Sequence, residues 1–461
     1  MLKFGGRLTQ YREGSIHELW TISYPLILSI LSTNIMLFLD RLILAQYDTR
    51  AMNAAVISGL LFSAFQYGTI GIASITEVFV GQYNGAKKYH KIGEPIWQGI
   101  WFSLLSCLLF FPLGIFAGNF FISSPEYLED GVPFFRTLML FGPAFPLVAA
   151  LSSFFVGRGY VKLVMVTTIL SNVLNILLDF PLIFGVGNLL PPLGATGAAI
   201  ATGVAQMIQA IVLLAVFLQA RNQKAYGTNQ WHFKSDMFWQ MLKIGTPSAL
   251  SGIIEGMAWG ALTQILASIS EMHITIFSIA DNFFVLFAFG FWGLQKGITT
   301  VSANYIGANR EEVVAKTLRS GIKMVFIIML LLTIPLYFFP EQLMELFLKH
   351  DASLILTEEI LKHAKTTMIW LWLYLMFDAI AWLISGVLTA AGDTKFVMAM
   401  NSFSAWAFSV LPTYFCVVYL GGSSTISWAL CALYGLLNVI SFFLRYKNKR
   451  WQTLEAFHAL V

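Results

Sequence analysis

Charge is what this chain lacks. Of its 461 residues only 11% are charged, against 57% hydrophobic, whereas a soluble domain carries about 25% charged residues. That shortage excludes an ordinary water-soluble enzyme or binding module. Cysteine is scarce as well. The three present, Cys107, Cys416 and Cys431, all fall in apolar stretches, which argues against a disulfide framework and for inert core thiols. The seven histidines show no metal-ligand spacing. The alternating pattern of an outer-membrane barrel is missing, and so is any cleavable leader. The chain starts polar, with Lys3, Arg7, Arg12 and Glu13, and the apolar run from Trp20 is long enough to span. No G-x-x-x-x-G-K-[ST] loop or soluble domain serves an ATP-driven pump. No nucleophile elbow or metal cluster serves an embedded enzyme. No enzymatic activity, cofactor or nucleic-acid partner is expected.

What is present is apolar sequence in blocks of membrane-crossing length. Ile100 to Phe121, Ile200 to Leu218 and Met324 to Phe339 are nearly free of charge, and about 20 such residues span the hydrocarbon as a helix. Helices satisfy the backbone there without water. Twelve spans are read, at about 20–45, 52–80, 95–121, 133–156, 162–186, 195–219, 238–268, 275–303, 317–340, 361–390, 395–419 and 425–446. The fold class is therefore all-α and polytopic. With the N-terminus taken as cytoplasmic, same-side segments hold 21 Lys and Arg against 5 opposite, with Arg41 and Lys296 inside spans. Positive loops stay inside, so both termini are expected in the cytoplasm of an inner-membrane protein.

The chain also repeats itself. Gly85-Ala86 returns as Gly307-Ala308, Gly99-Ile100 as Gly321-Ile322 and Pro25 as Pro247, each at an offset of 222. Gly159 with Lys162 returns as Gly392 with Lys395 at 233. Two pseudo-symmetric six-helix bundles, 1–219 and 238–461, are expected, joined by a polar cytoplasmic linker at 220–237. Both face the same way across the membrane, the form that alternating access requires.

Acids inside spans are the candidate machinery, since a carboxylate at mid-membrane costs about 2.5 to 3.5 kcal/mol even on the lenient insertion scale. Asp40 and Asp179 both lie about 26–30 Å from the inner end at 1.5 Å per residue. Asn175 precedes Asp179 by four, on the same helix face. Two such carboxylates can share a proton, or their oxygens can ligate a hard cation such as Na⁺. In the other half Glu255 and Asp378 sit near mid-depth, with the Tyr374 phenol four residues before Asp378. Glu255 lies in Gly252-Ile-Ile-Glu-Gly256-Met-Ala-Trp-Gly260, whose small-xxx-small steps let a neighbouring helix approach and argue for an interior position. The plainer reading of all four acids is a buried hydrogen-bond network that fixes helix packing. Glu77, near a span end, reads as solvated. Asp281 is a weaker candidate, Lys296 snorkels, and Arg41 reaches for the outer interface.

The segments Asn172-Val-Leu-Asn175-Ile-Leu-Leu-Asp179-Phe-Pro181, Gly194-Ala-Thr-Gly197, Gln82-Tyr-Asn-Gly85-Ala86 and Gly386-Val-Leu-Thr-Ala-Ala-Gly392-Asp393-Thr394 together resemble the signature of multidrug and toxic compound extrusion (MATE) transporters. The resemblance covers nearly the whole chain. It implies two six-helix bundles in a V-shaped arrangement and export of organic, mainly cationic or amphipathic, compounds against inward H⁺ or Na⁺, by a monomer in the bilayer. Asp40, Asn175 and Asp179 resemble the acidic site of the DinF-like branch. Glu255, Tyr374 and Asp378 are similar to the cation site of the NorM-like branch. The same acids, Asp40, Asp179, Glu255 and Asp378, are expected to meet the substrate. The competing reading is a flippase for a lipid-linked oligosaccharide from the same broader superfamily. Such a protein wants a cationic cavity, whereas an acidic one attracts cations.

Overall fold

A computed structural model describes residues 8–122, 125–345 and 354–453. Lys3, Arg7 and Lys349, which entered the loop-charge asymmetry, lie outside them, as do both chain ends. Among the described residues no strand forms, and twelve helices are long and apolar enough to cross a membrane, with mean hydropathy from 1.2 to 2.2. They are α1 Ile16–Tyr47, α2 Thr49–Gly85, α3 Tyr89–Phe116, α4 Tyr127–Val156, α5 Val161–Phe184, α6 Gly194–Phe217, α7 Ser235–Ile269, α8 Glu271–Gly307, α9 Glu311–Phe338, α10 Ile360–Ala390, α11 Thr394–Tyr419 and α12 Thr425–Lys447. All twelve expected spans are there, half of them longer than expected by a turn or more.

The repeat reappears in local geometry, and the geometry explains the residues. Tyr160 N donates to Phe155 O at 2.8 Å and Asp393 N to Leu388 O at 2.9 Å, the same helix-ending bond 233 residues apart. At the turn itself stand Gly159 and Gly392, with φ of 78° and 83°, a conformation that costs glycine nothing. At the ends of α2 and α8, Lys88 N donates to Tyr83 O at 2.9 Å and Arg310 N to Tyr305 O at 2.8 Å. Here Gly85 and Gly307 are needed for space instead. A Cβ on Gly85 would lie 1.8 Å from Asn304 O, and one on Gly307 would lie 2.0 Å from Gln82 O.

The chain divides into two compact units. Of the described residues, one unit holds Tyr24–Ala249 with Ala303–Arg310; the other holds 8–23, Leu250–Ser302, 311–345 and 354–453. In the first unit, Phe62, Phe110, Phe135, Met139 and Phe145 form an apolar core. In the second, Trp259, Phe277, Phe284, Tyr374 and Trp428 pack with ring centroids 5.1 to 6.4 Å apart.

The polar stretch after α6 is not slack. It forms a short helix, Ala220–Tyr226, and is then stitched to α3. Trp97 Nε1 donates to Thr228 O (2.9 Å) and Trp101 Nε1 to Trp231 O (3.0 Å). Gln98 donates to His232 O and accepts from Lys234 N (3.2 and 3.0 Å), and Lys234 Nζ pairs with Glu94 at 2.8 Å. Beside it Arg158, in the turn between α4 and α5, is buried. Burial pushes its guanidinium down to about 10, so it stays a cation at neutral pH. It lies 3.6 Å from the Phe154 ring centroid and 4.2 Å from that of Tyr226, where ring faces replace water around the charge.

Candidate functional site

The first cluster belongs to the unit built on Tyr24–Ala249. Residues 172, 175 and 179 recur at helical spacing on α5, so Asn172, Asn175 and Asp179 share one face, and all three are buried. Asn172 Nδ2 reaches α1, donating to Ser32 Oγ at 2.9 Å. Asn175 Nδ2 donates to Thr202 Oγ1 on α6 at 3.2 Å. These bonds bring α1 alongside and set Asp40, itself partly exposed, within hydrogen-bond reach of Asp179.

What the cluster omits defines its chemistry. Asp40 Oδ1, Asn175 Oδ1 and both carboxyl oxygens of Asp179 are buried without a hydrogen-bond partner. All four are acceptors, and no donor among the described residues points at them. Buried acceptors without donors are costly. The arrangement therefore suits a species that brings positive charge: a proton between the carboxyls, or a hard cation held by oxygens. Arg41, next in sequence, is exposed and does not supply a partner bond.

The second cluster lies in the other unit, and its character is the opposite. Glu255 on α7 accepts from Asn401 Nδ2 at 2.7 Å and from Tyr434 Oη at 3.5 Å. Asn401 lies on α11; Tyr434 and Asn438, one turn apart, lie on α12. Asn438 Nδ2 donates to Asn401 Oδ1 at 3.1 Å, and the single hydrogen of Tyr434 Oη is shared between that oxygen, 2.9 Å away, and Glu255. Asp378, fully buried on α10, feels the charge of Glu255 and stands beside Tyr374. Tyr374 Oη and Asp378 Oδ2 are nonetheless left without a well-formed hydrogen bond. Helix α12 approaches here because of Gly435, whose missing Cβ would lie 3.2 Å from Phe377 Cβ and 3.4 Å from Tyr374 Cδ2. Above Glu255, a small recess is lined by Ala258, Trp259, Leu262, Ala405, Ser409 and Tyr434.

The structure thus brings Asp40, Asn175 and Asp179 into one cluster and Glu255, Tyr374 and Asp378 into a second. Three sequence expectations need correction. Gly252, Gly256 and Gly260 do not seat a neighbouring helix, since a Cβ on any of them meets nothing within 4 Å. Side-chain hydrogen bonds to α11 and α12 hold Glu255 inward instead. Glu77 is not solvated at a helix end but buried, because the turn that carries it packs within its unit. Asn401, Tyr434 and Asn438 were overlooked, although amides within apolar spans are the same signal that singled out Asn175. Asp281 is partly buried on α8. Among the described residues no group of three or more His, Cys, Asp or Glu could hold a metal ion.

Comparison with known proteins agrees with the motifs. The MatE family matches residues 25–180 and 247–415, one stretch in each half of the repeat. The chain is 26% identical to the probable multidrug resistance protein YoeA of Bacillus subtilis, over 74% of each chain. It is 24% identical to the probable multidrug resistance protein NorM of Thermotoga maritima, over 82% of this chain and 80% of that one. In fold it is similar to a MOP superfamily transporter from Pyrococcus furiosus, with a TM-score of 0.82 at 18% identity over 100% and 99% of the two chains. With a family match across most of its length and twelve apolar helices to carry it, the chain belongs to the MatE family of multidrug efflux transporters.

Proposed function

We propose that the protein is a secondary antiporter that exports organic cations and amphipathic compounds in exchange for H⁺ or Na⁺, with both termini in the cytoplasm. The observation that carries the coupling is the donor-free set of oxygens on Asp40, Asn175 and Asp179. Left empty it is two like charges in a nonpolar slab; a proton or cation bound there offsets one of them and removes their mutual repulsion. The ion therefore binds whichever conformation closes the set most completely, and only such a difference in affinity lets a gradient drive a conformational cycle. Drug loading from the inside favours the opposite state. The second cluster, where Glu255 is held by donors beside an aromatic wall, suits the organic cation: ring faces and a carboxylate both attract it. The positive-inside asymmetry of the loops supports the orientation.

Asp40→Asn and Asp179→Asn each replace two acceptor oxygens by an amide whose NH₂ can donate into the set. Ethidium efflux from proteoliposomes should fall by about 10–100-fold, the loss typical when a group supporting ion binding is removed, with monodisperse folded protein retained. Efflux at the wild-type rate in both variants would reject the coupling role.

A further inference from the structure

The donors around Glu255 form a chain that can run in either direction. Ser404 Oγ lies 2.5 Å from Asn438 Oδ1, Asn438 Nδ2 lies 3.1 Å from Asn401 Oδ1, and Asn401 Nδ2 lies 2.7 Å from Glu255 Oε2. In this register every link donates toward Glu255, which accepts at the end as a carboxylate does. The hydroxyl of Ser404 has one hydrogen, yet three acceptors stand within its reach, Asn438 Oδ1, Met400 O at 2.6 Å and Asn401 O at 3.3 Å. It can serve only one of them at a time.

We infer that Asn401, Asn438 and Ser404 are positioning residues that keep Glu255 fully hydrogen-bonded both as a carboxylate and as a neutral acid, by reversing the whole chain when a proton arrives. The inference rests on the proposed role of Glu255 as the carboxylate that meets the organic cation, and adds that a proton takes the cation's place when it leaves. The step balances as follows. A proton from water bonds to Glu255 Oε2 and is donated to Asn401, whose amide has turned over so that Oδ1 faces the acid. Turning an amide by half a revolution exchanges its oxygen for its NH₂ in nearly the same place. The Asn401 NH₂ then donates to Asn438 Oδ1, the Asn438 NH₂ donates to Ser404 Oγ, and the freed Ser404 hydrogen swings to Met400 O. Asn401 has a second hydrogen for Tyr434 Oη, 2.9 Å away, and Tyr434 in turn donates to Glu255 Oε1. Every link of the path from Ser404 to Glu255 Oε2 keeps a partner in either register, so the acid escapes the penalty that breaking that bond would impose on one of its two states. The other titratable groups facing Glu255 are Asp378 and Tyr374 from α10 and Tyr434 from α12, with Cys431 and Asp281 behind them. α11 contributes only the amide and hydroxyl of the chain itself.

Infrared difference spectra between acid and alkaline pH, taken on the full chain in lipid vesicles with isotope-labelled asparagine, read both partners at once. The protonated-carboxyl band and asparagine side-chain amide bands should titrate together in the wild type, and Glu255→Gln should remove the part of each that belongs to this chain while leaving the part from Asp40, Asn175 and Asp179. Asn438→Leu should keep the carboxyl band and lose part of the amide signal. Ser404→Ala, a smaller change that serves if the first variant fails to fold, should weaken the amide signal, and Ser404→Thr should restore it. Asparagine bands that do not titrate in the wild type, or that persist undiminished in Glu255→Gln, would overturn the relay. Proton-driven ethidium efflux from the same vesicles separates the two ideas. Unchanged efflux in Glu255→Gln removes Glu255 from the coupling, while bands that still move together sustain the relay.

Discussion

At the scale of single residues, the two acidic clusters differ in what surrounds them more than in the acids themselves. Asp179 and Asn175 were legible in the sequence because polar residues four apart in an apolar helix share a face, and equal depth grouped Asp40 with them; the structure adds the bonds through Ser32 and Thr202 that hold the helices together there. The second cluster was half legible. Glu255, Tyr374 and Asp378 announced themselves, but their partners sit on helices distant in sequence, and no local spacing links residue 255 to 401 or 434. The glycines flanking Glu255 misled, because small-residue spacing shows where a helix could be approached and not whether one is. The glycine that matters is Gly435. Gly435→Val would push two methyl groups toward Phe377 and the Tyr374 ring, and overpacking of this kind costs about 1–3 kcal/mol. A lowered midpoint in thermal unfolding of the detergent-solubilised protein checks this; an unchanged midpoint would mean that α12 can slide away freely.

At the scale of elements, apolar run length was enough to find all twelve spans, since lipid leaves the backbone no alternative to a helix. Run length carries no information on how a helix is wound. The widened turns at Ile334–Phe338, Ala405–Val410 and Phe415–Tyr419 were not foreseen, although Pro335 and Pro412 give two of the helices a missing donor to accommodate. Nor did the polarity of residues 220–234 reveal that they are fastened down. Gln98, fully buried, holds both a carbonyl and an amide of that segment, so Gln98→Ala leaves two backbone groups unpaired, at about 1–3 kcal/mol each where water cannot replace the bond. Faster hydrogen exchange confined to residues 228–234 is the expected result.

At the scale of the whole molecule, the offset of 222 in the sequence became a repeat of helix ends, down to the same hydrogen bonds at Lys88 and Arg310. Repetition of the scaffold with divergence of the acids suggests divided labour: one cluster for the driving ion, the other for cargo. Separately imposed gradients test this directly. In proteoliposomes, ethidium efflux should rise with an inward gradient of one ion, H⁺ or Na⁺, and Asp179→Asn should abolish that dependence. A gradient response that survives this change would move the coupling to Glu255 and Asp378. The fastened stretch after the short Ala220–Tyr226 helix has a practical corollary. Engineers who want to split the gene into complementing fragments, or to graft a fluorescent reporter between the repeats, would naturally aim at the longest hydrophilic stretch. A graft at 228–234 would tear out Trp97, Gln98, Trp101 and Glu94 anchorage together, so the longest hydrophilic stretch is the wrong place for an inserted domain.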